Sequence, residues 1–126
     1  MVNTHLKIDT KFSGKVIKNK KGYAKVELTT SKEMIADEFG LIHGGFTFSA
    51  ADFCAMAAVN EPNVVLVGAE VKFLAPTKLG DIVIFEANII EQDGAKAKVD
   101  VIGKVEKKEV FKGVFKTFVT KEHVLG

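Results

Sequence analysis

The chain has 126 residues, of which 47% are hydrophobic and 27% charged, and its formal net charge is +2. That length suits one domain spanning residues 1–126, and that composition excludes a disordered chain. Lysine supplies all the positive charge and is scattered among glutamates, while arginine is absent; without guanidinium forks or a basic patch, no nucleic-acid partner is expected.

One cysteine, Cys54, excludes an internal disulfide and fits a reducing compartment. Met1 to Lys7 lacks the apolar stretch and small-residue cleavage site of a signal peptide. Nowhere do the roughly 18 apolar residues of a membrane span run together. A cytoplasmic protein with no membrane partner is expected.

Lys11 to Lys18 reads as a first strand, closed by a turn at Asn19-Lys20-Lys21-Gly22. Tyr23 to Thr30 alternates, with Ala24, Val26 and Leu28 on one side and Lys25, Glu27 and Thr29 on the other. That is the period of a strand with one buried face. Ser31 to Met34 can open a short helical turn, and Gly40 ends whatever forms there.

From Phe46 to Val59, alanine, phenylalanine, cysteine and methionine fill nearly every position, enough for about four helical turns. A helix apolar on every side is buried on every side, so either the sheet curls around it or a second subunit covers what remains. Asn60-Glu61-Pro62-Asn63 stops it, because proline cannot continue the hydrogen-bond ladder.

Strands follow: Val64 to Leu74, then Asp81 to Glu91 after the turn Thr77-Lys78-Leu79-Gly80. Asp93-Gly94 signals a two-residue hairpin turn, after which Ala95, Ala97, Val99 and Val101 alternate with Lys96, Lys98 and Asp100. Past Glu106-Lys107-Lys108-Glu109 a last strand runs from Val110 to Thr120. The order predicts an α+β domain in which a curled antiparallel sheet wraps around one long central helix.

The chemistry concentrates at Ile42 to Asp52. Two glycines ahead of a helix allow a tight turn and a close approach by another group. The unpaired N–H groups of the first helical turn attract negative charge. Gly44 and Gly45 can therefore stabilise an oxyanion, a contact commonly worth roughly 3–4 kcal/mol of barrier. Asp52 is a lone carboxylate in an apolar helix, which costs several kcal/mol, on the order of 1–7, unless it finds a donor or a wet cleft.

Plainer readings stand beside these. Ser49-Ala50-Ala51-Asp52 fits a capping box in which Asp52 only caps. His43 can be a structural residue and Gly44-Gly45 a simple turn. Cys54 reads as a small core residue. His5, His43 and His123 are far apart with no cysteine or glutamate cluster beside them, so no metal is expected.

The run Gly40-Leu41-Ile42-His43-Gly44-Gly45-Phe46-Thr47-Phe48-Ser49-Ala50-Ala51-Asp52 resembles the signature of the hotdog-fold thioesterases, above all their phenylacetate-pathway branch. Phe73-Leu74-Ala75-Pro76 followed by Gly80-Asp81 is of that family's kind too. The resemblance implies a hotdog fold and hydrolysis of acyl-CoA thioesters. It casts Asp52 as nucleophile or as general base for a water, the N–H groups of Gly44 and Gly45 as the carbonyl's partners, and His43 as a positioning group. It also implies a homodimer, or a homotetramer built from it, with sites at the subunit interface. CoA would enter as substrate, with no cofactor.

On this reading Phe46, with Phe48, Phe53 and Met56, suggests an apolar pocket wall, while Lys72 and Lys78 are candidates for the CoA phosphates. Family members commonly carry asparagine where this chain has Asp37, at a position that binds the carbonyl or the water. An ionised acid cannot donate that hydrogen bond. The serine or threonine that some members place on the third strand is also missing, with Leu66 near that position. A non-catalytic acyl-CoA-binding or regulatory protein of the same fold is therefore the alternative. A hydratase, whose relatives carry a different loop, and a purely structural oligomer fit less well.

Overall fold

A computed structural model describes all of residues 1–126. The first element is a single helical turn, α1 (Thr10–Ser13), where a strand was expected from Lys11. Asp9 is the reason: its carboxylate caps the turn by accepting from the Lys11 N–H at 2.9 Å. The strands are β1 (Lys15–Lys20) and β2 (Tyr23–Thr29), followed by a 3-10 turn at Lys32–Met34, the helical turn expected there. The long helix α2 spans Gly44–Val59 and ends where Asn60 adopts a left-handed conformation. Four strands complete the chain: β3 (Val64–Phe73), β4 (Ile82–Asp93), β5 (Lys96–Val105) and β6 (Lys108–Val119).

The β4–β5 turn falls one residue later than expected, at Gly94-Ala95, with Asp93 and Lys96 paired across it. Gly94 takes φ 59° at the first central position, where other residues are strained.

All strand pairs are antiparallel, in the order β1-β2-β4-β5-β6-β3. The expected curled sheet wrapped around the helix is corrected by this order. The sheet is open, with β1 and β3 as free edges, and α2 lies across one face, chiefly against β2 and β4. The α+β class, the antiparallel sheet and the long helix stand as expected.

Closure is unnecessary because the N-terminal segment covers part of the helix that the sheet leaves bare. The Asn3 N–H donates to Asn60 Oδ1, and the Asn60 amide donates to the Met1 carbonyl. The His5 ring sits 6.4 Å from Phe53, Phe12 lies 5.8 Å from Phe46, and the Ser13 and Ser49 hydroxyls bond at 2.8 Å.

The core lies between α2 and the sheet. Ala24, Val26 and Leu28 of β2 and Val83, Phe85 and Ala87 of β4 are completely buried. Cys54 faces them, its thiol donating to the carbonyls of Ala24 and Phe85. Small residues on that face let the helix sit close to the strands.

Farther along, Phe48, Phe115 and Phe111 form a ring column, with Phe73 and Phe85 against Phe111 at 5.4 and 5.9 Å. Phe111→Ala is expected to cost about 3–5 kcal/mol, read as a fall in the urea midpoint. An unchanged midpoint would mean that the column carries no packing energy. No helix is long and apolar enough to cross a membrane.

Candidate active site

His43 is the residue that turns the chain into α2. Its backbone is extended (φ −62°, ψ 131°), its N–H donates to the Met34 carbonyl at 2.9 Å, and its carbonyl accepts from the Phe46 N–H at 3.1 Å. The helix therefore begins at Gly44, two residues before the apolar run, and Ser49 lies well inside it. The capping-box reading of Ser49 and Asp52 fails on that placement.

Both glycines are needed for close packing. A Cβ on Gly44 would stand 3.2 Å from the Phe73 ring, and one on Gly45 would stand 3.1 Å from His43 Nε2. The exposed imidazole thus lies over Gly45 and meets Phe46 edge-on at 6.2 Å. The N–H groups of Gly44 and Gly45 donate to no other backbone group of the chain, as befits the first donors of a helix. A groove of about 330 Å³ opens beside them, lined by Leu41, Ile42, Gly44, Thr47, Phe73 and Pro76 among others.

Asp52 is on α2 two turns farther on. Cys54 marks the side of the helix packed on β2 and β4, and at ~100° per residue Asp52 stands about 200° around from it, turned away from those two strands. Phe48 and Gly45, four and seven residues earlier, share that stripe. The Asp52 side chain is half-buried, and its Oδ1 is shut from solvent with no hydrogen-bond partner. Burial pushes its carboxyl up to about 6, because removal from water disfavours the charged form. Burial also pushes the Cys54 thiol up, which keeps it protonated and inert.

The structure brings His43, Gly44, Gly45 and Phe46 together at the start of α2, with Phe73 added from β3. Asp37 stands in the loop just before them. Its Oδ1 accepts from the N–H groups of Phe39 and Leu41, at 2.9 and 3.1 Å, so the side chain shapes the loop. Lys72 is set apart: its neighbours Val71 and Phe73 face the helix, so Lys72 points to the opposite face of the sheet. Phe73 and the buried Thr47 beside Gly44 lie within the segments that carry the family resemblance, but neither is marked there as a site residue, since each also fits an ordinary core position.

Asp52 follows Gly44 by eight residues, about 12 Å along the axis at ~1.5 Å per residue. One chain therefore cannot place its own carboxylate and its own glycine N–H groups on the same carbonyl.

Comparison with known proteins agrees with the fold. A sequence model of the thioesterase superfamily matches residues 39–112. The chain is 52% identical over 117 residues to a methylthioribose-1-phosphate isomerase of Aquifex aeolicus, covering 93% of this chain but 24% of that protein. It is 32% identical over 85 residues to the transcription factor FapR of Caldanaerobacter subterraneus, covering 68% of this chain and 42% of that protein. The chain thus spans less than half the length of either relative.

Among solved structures, an uncharacterized protein of Pyrococcus horikoshii superposes with a TM-score of 0.99 at 48% identity, covering 100% of this chain and 97% of the other. A Streptococcus mutans protein bound to acetyl CoA shares the fold at TM-score 0.82 and 23% identity, covering 95% and 99%. So does an Escherichia coli protein of the phenylacetic acid degradation operon, at 0.79 and 23%, covering 89% and 83%. A helix laid across an open antiparallel sheet, a His-Gly-Gly entrance to that helix and a matching superfamily model place the chain in the hotdog-fold thioesterase superfamily.

Proposed function

We propose that the protein hydrolyses acyl-CoA thioesters, in a site built from two copies of the chain. The observation that carries this reading is the Asp52 carboxylate, half-buried and with an unpartnered oxygen shut from solvent. A carboxyl held near 6 is ionised at neutral pH yet basic enough to take a proton.

In the reaction, the Asp52 carboxylate either attacks the thioester carbon itself or removes a proton from a water that does. The C–O bond forms and the C–S bond breaks; when water is the attacking group, the thiolate leaves with the proton that Asp52 took from it, as free CoA. In the nucleophilic variant the thiolate leaves first, and water then hydrolyses the acyl anhydride on Asp52, one of its protons passing to the thiolate. Charge that develops on the carbonyl oxygen is met by the Gly44 and Gly45 N–H groups of the other copy, with His43 holding that corner and Phe46 beside it.

The two sheet edges support the pairing. β1 carries Lys15, Lys18 and Lys20, which discourage a further strand, whereas β3 offers Val67, 65% exposed, and Phe73, 54% exposed. A two-fold partner at β3 runs antiparallel, which reverses its helix and spans the separation that one chain cannot. A charge introduced at this edge, Val67→Glu, is expected to give monomers by sedimentation together with loss of turnover.

The reading is tested by thiol release from a panel of short, long and aromatic acyl-CoAs, with wild type beside Asp52→Ala. Turnover lost in a variant that still folds supports it; no turnover by the wild type overturns it. The second reading, a regulatory module that holds acyl-CoA intact, is favoured by the similarity to a transcription factor and by an acid at position 37. Tight CoA binding without turnover would establish it.

A further inference from the structure

We infer that the surface trough running from Gly44 to Phe39 seats the phosphorylated adenosine end of the CoA carrier, with Phe39 against the base and Lys78 and Lys108 at the phosphates. The inference rests on the acyl-CoA reading above.

Phe39 is 87% exposed. Folding normally turns a phenyl ring of this size inward, and a floppy loop could leave it out by default. This loop is not floppy. Asp37 Oδ1 accepts from the N–H groups of Phe39 and Leu41, the Ala36 N–H donates to the Leu41 carbonyl at 2.7 Å, and the Leu79 N–H donates to the Gly40 carbonyl at 2.8 Å. The ring is therefore held in water by a braced turn, with the acid at position 37 as one of the braces.

Beneath the ring lies a groove of about 560 Å³ that also takes in Lys78 and Lys108. It shares Leu41, Pro76, Thr77 and Val110 with the groove at Gly44, so the two form one trough. From one end to the other the trough presents Gly44 at the start of α2, an apolar wall, two ammonium groups and an aromatic face.

An acyl-CoA presents the matching order: a carbonyl, a flexible arm, phosphates and a purine. Neither lysine belongs to an ion pair. Two acids also border the groove: Asp81, whose Oδ2 accepts from the Lys78 N–H at 2.9 Å, and Glu106 in the β5–β6 turn. The phosphates are thus expected on the lysine side. An aromatic ring stacks on a base without needing to read it, and an ammonium group serves a phosphate as a point charge.

The test compares two substrates with the same acyl group, an acyl-CoA and the acyl-N-acetylcysteamine thioester, which lacks phosphates and base. Phe39→Ala and the double variant Lys78→Ala/Lys108→Ala are expected to raise KM for the acyl-CoA about tenfold at unchanged kcat. Kinetics with the truncated thioester should not move. An unchanged ratio of the two KM values overturns the inference while leaving hydrolysis intact.

Calorimetry with free CoA gives a reading that needs no turnover. Weaker CoA binding by Phe39→Ala supports the inference even if the wild type hydrolyses nothing, and equal binding overturns it. A smaller assembly by sedimentation with unchanged CoA affinity would make Phe39 a contact between copies and likewise overturn it.

Discussion

Asp52→Asn is expected to slow thioester hydrolysis by about 10²–10⁴-fold and, at pH 8, to make the protein more stable than the wild type. Both effects come from the same burial. A free aspartate releases its proton near 3.8, whereas in the fold Asp52 holds it up to about 6. Between those values the folded chain binds more protons than the unfolded one, so stability falls as pH rises, and above about 6 the loss is complete.

A rise of that size corresponds to at most ~3 kcal/mol, and solvent access to a half-buried side chain reduces it to about 1–2 kcal/mol. A neutral amide of the same shape escapes this penalty. Urea melts at pH 4 and pH 8 check it: the gap between variant and wild type should open at pH 8 and nearly close at pH 4. Equal stability at pH 8 would show that the carboxylate is satisfied in solution by a group outside its own chain. Turnover by the wild type should climb with pH about an apparent value near 6 and then level, because the ionised form does the work.

Two inactive variants are expected to restore each other. Gly45→Val pushes a side chain into the space held by His43 Nε2, 3.1 Å from where a Cβ would sit, and should abolish turnover while leaving Asp52 untouched. Asp52→Asn leaves the glycine corner untouched. If each site takes its carboxylate from one copy and its N–H groups from the other, half the dimers in an equal, exchanged mixture carry one intact site. The mixture should then show about a quarter of the wild-type rate. Mass spectrometry confirms the exchange, and a mixture as silent as its components would place both halves of the site in one chain. The separation of ~12 Å along α2 argues against that outcome.

Much of this arrangement is legible in the sequence, and what is not has physical causes. Alternation named the inward faces of β2 and β5, because a two-residue period survives whatever the strand packs against. The helix was legible in its interior but not at its start, since glycines at 44 and 45 carry no helical preference of their own. Their role depends on Phe73 and His43 lying against them. Asp9 was overlooked as a cap because the apolar residues after it are too few to show a period.

The shape of the sheet was misjudged for a related reason. An all-apolar helix demands cover, but composition does not say that Met1 to Gly14 will supply part of it. Asp52 stands out as the odd charge in its segment; its orientation, away from β2 and β4, follows only once Cys54 is fixed against them. Asp37 could be read as a departure from the family but not as a brace, because its partners are backbone N–H groups that any sequence possesses.

The unequal edges of the sheet also bear on how the protein behaves when crowded. A strand edge that accepts a neighbour is the usual seed of endless growth, and six strands with two such edges could polymerise. Here the lysines of β1 make one end a terminus. A copy that joins through β3 about a two-fold axis consumes the receptive edge of both partners and leaves only lysine-bearing rims outside. On the proposed pairing the stack would end at two chains, so that exposure of β3 is self-limiting rather than a route to fibres.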